Sequence, residues 1–229
     1  MEFPAVPMET PADVHDPIPT DGSAGTRILR AAREHFFRFG YGSSTMDDLA
    51  SELGMSKKTL YLHFPSKEAI IDTIVNHMGR MISSRLDAIT ADPKRSFVQK
   101  LCEVVETVGG ALSRVSPMML RDLQRYAPRI YDKIEQIRQR NIPIYFTRLI
   151  EDGIKQGMVR PEIDPRFAGE FWLHAIRGLI QPDILEKNQL TPRQTLEKAI
   201  DLFFGGLLTP VGRQDYAKHL AHCKKHASA

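Results

Sequence analysis

The sequence predicts an all-α protein of about nine helices, and three observations carry that reading. Apolar residues recur at three- and four-residue steps through nearly the whole chain, the spacing that lines one face of a helix. Helix-start signals repeat at Ser116-Pro117, Ala127-Pro128, Asp164-Pro165 and Thr191-Pro192, because proline suits a first helical turn whose amide lacks a partner anyway. Hydrophobic residues make up 42% and charged residues 26% of a 229-residue chain, inside the range of folded, water-soluble proteins.

The first stretch, 1–25, carries Glu2, Glu9, Asp13, Asp16 and Asp21 with five prolines and no Lys or Arg, so it is expected to form a disordered acidic arm. Leu29, Ala32, Phe36 and Phe39 then mark a helix from about Arg27 to Phe39, with Gly40 as its stop. Thr45 caps a second helix whose Asp47 and Asp48 suit the positive end of the helix dipole. Met46, Leu49, Ala50 and Leu53 form its buried stripe before Gly54 ends it. Ser56 caps a short third helix with Leu60 and Phe64 inward, and Pro65 terminates it. Ser66 caps a fourth, with Ile70, Ile71, Ile74, Val75 and Met78 as its apolar face.

The stretch "LASELGMSKKTLYLHF" therefore joins two short helices through a tight glycine-containing turn. That is the helix-turn-helix layout, whose second helix enters a DNA major groove. With Leu60 and Phe64 buried, the side chains of Lys57, Lys58, Thr59, Tyr61 and His63 lie wholly or partly off the packed face. Lysine can donate to guanine O6 and N7, and threonine can bond a base edge or touch a thymine methyl, so Lys57, Lys58 and Thr59 are the expected base readers. Tyr61, His63, Thr45 and Lys67 are expected at phosphates, the last two because they sit at helix N-termini that favour anions.

From Arg27 to Glu68 the chain resembles the DNA-binding domain of the TetR/AcrR family of bacterial transcriptional regulators. The residues carrying the likeness are Ala31, Ala32, Phe36 to Gly40, Thr45 to Ala50, Gly54, Ser56, Thr59-Leu60-Tyr61, His63-Phe64 and Ser66-Lys67-Glu68. Lys58 stands where the family more often has a small residue or proline, and Leu62 where a polar or aromatic one is frequent, so the operator sequence does not transfer. The resemblance implies double-stranded DNA with a near-palindromic operator as partner, a homodimer, and repression released by a small-molecule effector.

The expected division is the arm at 1–25, the helix-turn-helix domain at 26–72, a larger effector-binding and dimerisation domain at 73–208, and a basic tail at 209–229. In the larger part Phe97, Leu101, Val104, Val105, Val108, Leu112 and Val115 form one long stripe, and Pro143 is expected to kink or split the helix running from Pro128 to Gln156. A gap between such helices is a usual small-molecule site. Met118, Met119, Phe146, Phe171, Trp172, His174 and Arg177 are candidate lining residues, and the expected effector is largely apolar. Phe167, Phe171, Ala175 and Leu179 on one helix, and Leu196, Ala199, Ile200, Phe203 and Leu207 on the next, are broadly apolar faces. The resemblance assigns that pair of helices to the dimer interface.

No nucleophile elbow, Walker loop, dinucleotide fingerprint or paired-histidine zinc motif occurs, so neither an enzyme nor a cofactor is expected. The rival class is a helical enzyme or carrier with a vestigial helix-turn-helix. His219, His222, Cys223 and His226 share a face of the tail, but a frayed tail holds ligands poorly, and no metal is assigned. Cys102 and Cys223 are too few for a disulfide framework. The N-terminus lacks a signal-peptide layout and there is no long apolar run, so a cytoplasmic protein without a membrane partner is expected.

Overall fold

The computed structural model describes residue 18 and residues 21–226, with side chains through 218. Among the described residues there are eleven α-helices: α1 (Ala24–Phe39), α2 (Met46–Glu52), α3 (Lys57–His63), α4 (Lys67–Ala91), α5 (Phe97–Leu112), α6 (Pro117–Tyr126), α7 (Pro128–Lys155), α8 (Pro165–Leu179), α9 (Pro182–Asn188), α10 (Pro192–Leu207) and α11 (Pro210–His226). Outside the helices one isolated antiparallel bridge joins Val159 to Leu208. The all-α expectation holds, with more helices than expected. The additions are the short α9, which Leu185 anchors in the core, and α11, which runs into the stretch expected as a tail.

The N-terminal starts follow their caps. Ser23, Thr45, Ser56 and Ser66 each accept a hydrogen bond from an amide in the first turn of the helix that follows, which satisfies donors that the helix itself leaves open. Helix α1 thus begins at Ala24, inside the stretch expected to be an arm. Asp21 also belongs to that start, accepting from the Ser23 amide and the Thr26 hydroxyl. These hydrogen bonds hold its carboxyl below the usual carboxylate range. Ile18 is a second correction, since only 1% of it is exposed within the α1–α4 core and its carbonyl accepts from Arg30 Nη2 at 3.2 Å. The rest of the expected arm lies outside the described residues, as do the side chains of the His/Cys cluster in the tail.

Two large apolar clusters build the molecule. One gathers Ile28, Phe36, Leu49, Leu60, Ile70 and Ile74 from the first four helices and is closed by Met119, Leu123, Ile130 and Tyr131 of α6 and α7. The other joins α5, α7, α8 and α10 around Phe97, Leu149, Trp172, Ile200 and Phe204. Helix α4 runs unbroken from the first cluster past residue 72 to Leu86 and Ile89, which belong to a smaller third cluster.

Pro143 does not split α7, which remains one helix of 28 residues. Proline removes one hydrogen bond and crowds the preceding turn, but here α8 packs tightly against that point. A Cβ on Gly169 of α8 would lie 3.2 Å from the Pro143 carbonyl oxygen, so the bare glycine lets the two backbones meet and tertiary packing outweighs local propensity.

Candidate nucleic-acid interface and its coupled cavity

Just past the end of α2 lies Gly54, whose φ of +60° is a left-handed conformation that side chains disfavour. The Met55 amide then donates back to Ala50 O at 3.0 Å, closing the helix end. The turn delivers α3 with Leu60 fully buried and Lys57, Lys58, Thr59, Tyr61, Leu62 and His63 exposed. Tyr61 is 49% and Leu62 78% exposed, so α3 presents cationic, hydroxyl and apolar groups on one outward surface.

The individual placements differ in what they leave available. Lys57 Nζ donates to Asp47 Oδ2 at 2.5 Å across the turn, and that bond raises the ammonium above its ordinary pKa. Lys58, among the described residues, has no ion-pair partner. The Thr59 hydroxyl lies 2.8 Å from that of the cap Ser56. Thr45 is exposed, but its amide and hydroxyl both donate to Asp48 Oδ2, at 2.9 and 2.6 Å. A phosphate at Thr45 would therefore meet a carboxylate first.

Lys67 is turned inward. Its Nζ donates to Tyr41 O at 2.7 Å and Ser44 O at 2.6 Å and sits 4.3 Å above the Tyr41 ring. Desolvation lowers its pKa, and burial pushes the Tyr41 hydroxyl up to about 12. Lys67 thereby pins the α1–α2 connection to the start of α4.

That connection is also held from the other side by α6. Asp122 Oδ2 accepts from the Gly42 amide at 2.7 Å, and a Cβ at Gly42 would lie 2.6 Å from the Tyr126 ring. Glu34 of α1 is paired with Arg114, just ahead of α6, through both carboxylate oxygens. The pairing holds the Glu34 carboxyl below its usual range. No local pattern announces these contacts, since each joins residues at least 80 positions apart.

Behind α6 lies a cavity of about 250 Å³. Its wall combines Phe36 and Phe37 of α1, Ile74 and Met78 of α4, Val108 of α5, Leu123 of α6, Phe146 of α7 and Trp172 of α8. Of the seven residues expected to line an effector site, Met119, Phe146 and Trp172 do so, and Trp172 stacks on Phe146 with ring centroids 4.6 Å apart. The other four lie away from it. Met118 is exposed beside Gly40, Phe171 is 54% exposed and stacked on Phe203, His174 is exposed, and Arg177 bonds Glu135. The reason is helical phase. Adjacent helical residues point about 100° apart, so Met119 and Trp172 face in while Met118 and Phe171, one residue before each, face out.

The outer side of α8 and α10 carries exposed apolar groups among charged ones such as Glu170, Lys198 and Asp201. Phe167 is 71% exposed and Leu202 82%, and a Cβ at Gly178, Gly205 or Gly206 would meet open space. Leu196, Ile200 and Leu207, expected on this face, are instead buried in the chain's own core. Among the described residues, no group of His, Cys, Asp and Glu could hold a metal, and no helix is long and apolar enough to cross a membrane.

A glycine-closed helix pair whose second member stands exposed and cationic defines the chain as a helix-turn-helix DNA-binding regulator. Its residues 28–74 match the sequence profile of bacterial regulatory proteins of the tetR family. The HTH-type transcriptional repressor DhaR of Mycobacterium sp. (strain GP1) is 23% identical over 185 residues, 79% of this chain and 90% of that protein. Among solved structures, a TetR-family transcriptional regulator from Marinobacter aquaeolei VT8 superposes with a TM-score of 0.69 at 20% identity, covering 89% of this chain and 98% of that one. The SmeT–triclosan complex superposes with a TM-score of 0.58 at 16% identity, covering 81% and 92% of the two chains. Over residues 28–74 the chain thus carries the DNA-binding domain of the tetR family, and over most of its length it resembles transcriptional regulators of that family. Its relatives are regulators rather than enzymes.

Proposed function

We propose that the protein is a dimeric cytoplasmic repressor that reads a near-palindromic operator with α3 and releases it when a small, largely apolar effector fills the cavity. The observation that carries this reading is the shared wall: Phe36 and Phe37 belong to α1 of the DNA-reading part, and Val108, Phe146 and Trp172 to the larger helical part. An occupant that fits one arrangement of α6 better than another shifts the population toward it. Through Asp122 and Glu34 that shift reaches the α1–α2 connection and hence the aim of α3. The name of DhaR supports repression, and the SmeT–triclosan complex supports a small apolar ligand in this fold.

In this reading residues 26–72 are the reading unit and 73–208 the sensing and dimerising unit, with α4 spanning both. Lys57, Lys58 and Thr59 contact bases, and Tyr61 and His63 contact phosphates. Thr45 and Lys67 act from behind: Thr45 caps α2, and Lys67 fixes the α1–α2 connection.

The decisive experiment uses a fluorescent duplex recovered by selection from random sequence. Adding decanol is expected to change the emission of Trp172, the chain's one tryptophan, and to release the duplex over the same concentration range. An emission change with the duplex still bound would overturn effector control.

The dimer is assigned to the outer face of α8 and α10, where Phe167, Phe171 and Leu202 stand exposed. Two such faces related by a twofold axis bury each other and set the two copies of α3 about 34–36 Å apart, one helical turn of DNA. Leu202→Glu is expected to give a monomer by analytical ultracentrifugation with unchanged helicity, because its side chain is 82% exposed in the single chain. A dimer persisting in that variant would move the interface elsewhere.

A further inference from the structure

The cavity wall is apolar apart from Arg33, Arg138, Asn141 and Tyr145, and these four differ in what they still need. Asn141 Nδ2 donates to Ser83 Oγ at 2.9 Å while its Oδ1 accepts from Arg140, and the Tyr145 hydroxyl donates to Ser83 O at 3.1 Å. Arg33 bonds Glu34 at 3.3 Å and has further partners.

Arg138 stands apart. Among the described residues its one hydrogen-bond partner is Glu135, reached through Nη1 at 2.6 Å with both side chains 15% exposed. Glu135 is itself shared, since its other oxygen accepts from Arg177 Nε at 3.0 Å. Two guanidinium charges therefore meet one carboxylate, and Nε and Nη2 of Arg138 remain for another acceptor. A guanidinium left partly unpaired beside an apolar cavity is costly, whereas an entering oxyanion meets a planar fork of donors suited to it.

Resting on the reading of this cavity as an effector site, we infer that the effector is an amphiphilic anion, with an apolar body between α4, α5 and α7 and a single acidic head group on Arg138. A neutral or cationic molecule of the same shape gains the apolar contacts only.

The test compares decanoate, decanol and decylammonium, titrated into the full chain after hydrophobic-resin stripping and followed by Trp172 emission. Decanoate is expected to bind at least about tenfold more tightly than decanol, the scale of one charge-assisted hydrogen bond, with decylammonium weakest. In Arg138→Gln the preference is expected to shrink to within about twofold, the fork being gone, while Arg138→Lys retains it in part. Thermal unfolding of each variant checks that the fold survives, and the wild-type comparison stands whether or not it does. If decanol matches decanoate in the wild type, or the preference survives in Arg138→Gln, the acidic-head assignment is overturned. Decanol that still releases DNA would then leave effector control intact. If none of the three changes the emission, the cavity is not an effector site and the inference falls with it.

Discussion

Exchanging Lys57, Lys58 and Tyr61 together for alanine is expected to weaken binding to the selected duplex at least about a hundredfold, because base readers and a phosphate contact are lost at once. The salt dependence should flatten too. Each lysine that neutralises a phosphate or sits in its field releases a counterion, so the logarithmic slope is expected to fall by about two. Fluorescence anisotropy at two salt concentrations reads both effects. All three side chains are exposed and outside the α1–α4 core, so circular dichroism should show an unchanged fold. Unchanged affinity in the triple variant would remove α3 as the reading surface. Asp47→Ala makes an informative companion. It frees Lys57 from a 2.5 Å ion pair and removes a carboxylate near the duplex, so a gain in affinity is expected.

The second large effect is on stability. Phe204 is fully buried, with ring centroids 5.5 Å from Phe203, 6.0 Å from Phe146 and 6.1 Å from Phe97. It sits where α5, α7 and α10 converge, and neighbouring rings fixed by their own packing cannot collapse into the space it leaves. Phe204→Ala is expected to cost about 3–5 kcal/mol. For a chain of this size that corresponds to a drop in Tm of roughly 6–20 °C. Differential scanning calorimetry checks it. A loss below about 1 kcal/mol would mean that this core is far more plastic than close packing allows.

Much of the reading head was legible because its determinants are local. Thr45, Ser56 and Ser66 each sit immediately before a helix and cap it, and Gly54 marks the turn by a conformation that few other residues tolerate. The start of α1 was harder. Ser23 caps it, but Gly22 and Gly25 on either side read as loop, and Ile18 is held by contacts with residues beyond its own stretch. Helix α9 is as short as α2 and α3, seven residues, but its start at Gln181 has no side-chain cap hydrogen bond to announce it.

The cavity was legible in kind and not in detail. Apolar helices that leave a gap are visible as a pattern, but which side of α8 faces inward depends on how that helix rolls against α7. Close approach at Gly169 sets that roll, and it turns Trp172 inward and Phe171, His174 and Arg177 away. Arg138 is marked by an electrostatic imbalance involving Arg177 of another helix, which no spacing within α7 could disclose.

The docking of α6 against the α1–α2 connection limits how freely the two halves can be exchanged with those of other regulators. A chimera that grafts this reading head onto a foreign sensing body keeps Gly42 but loses the carboxylate that holds its amide. The reverse graft, setting a bulkier residue at position 42, drives that side chain into the Tyr126 ring. On the proposed reading either hybrid can fold and bind DNA while being deaf to an effector, so a working cassette has to carry Gly42, Asp122 and Tyr126 across the junction together.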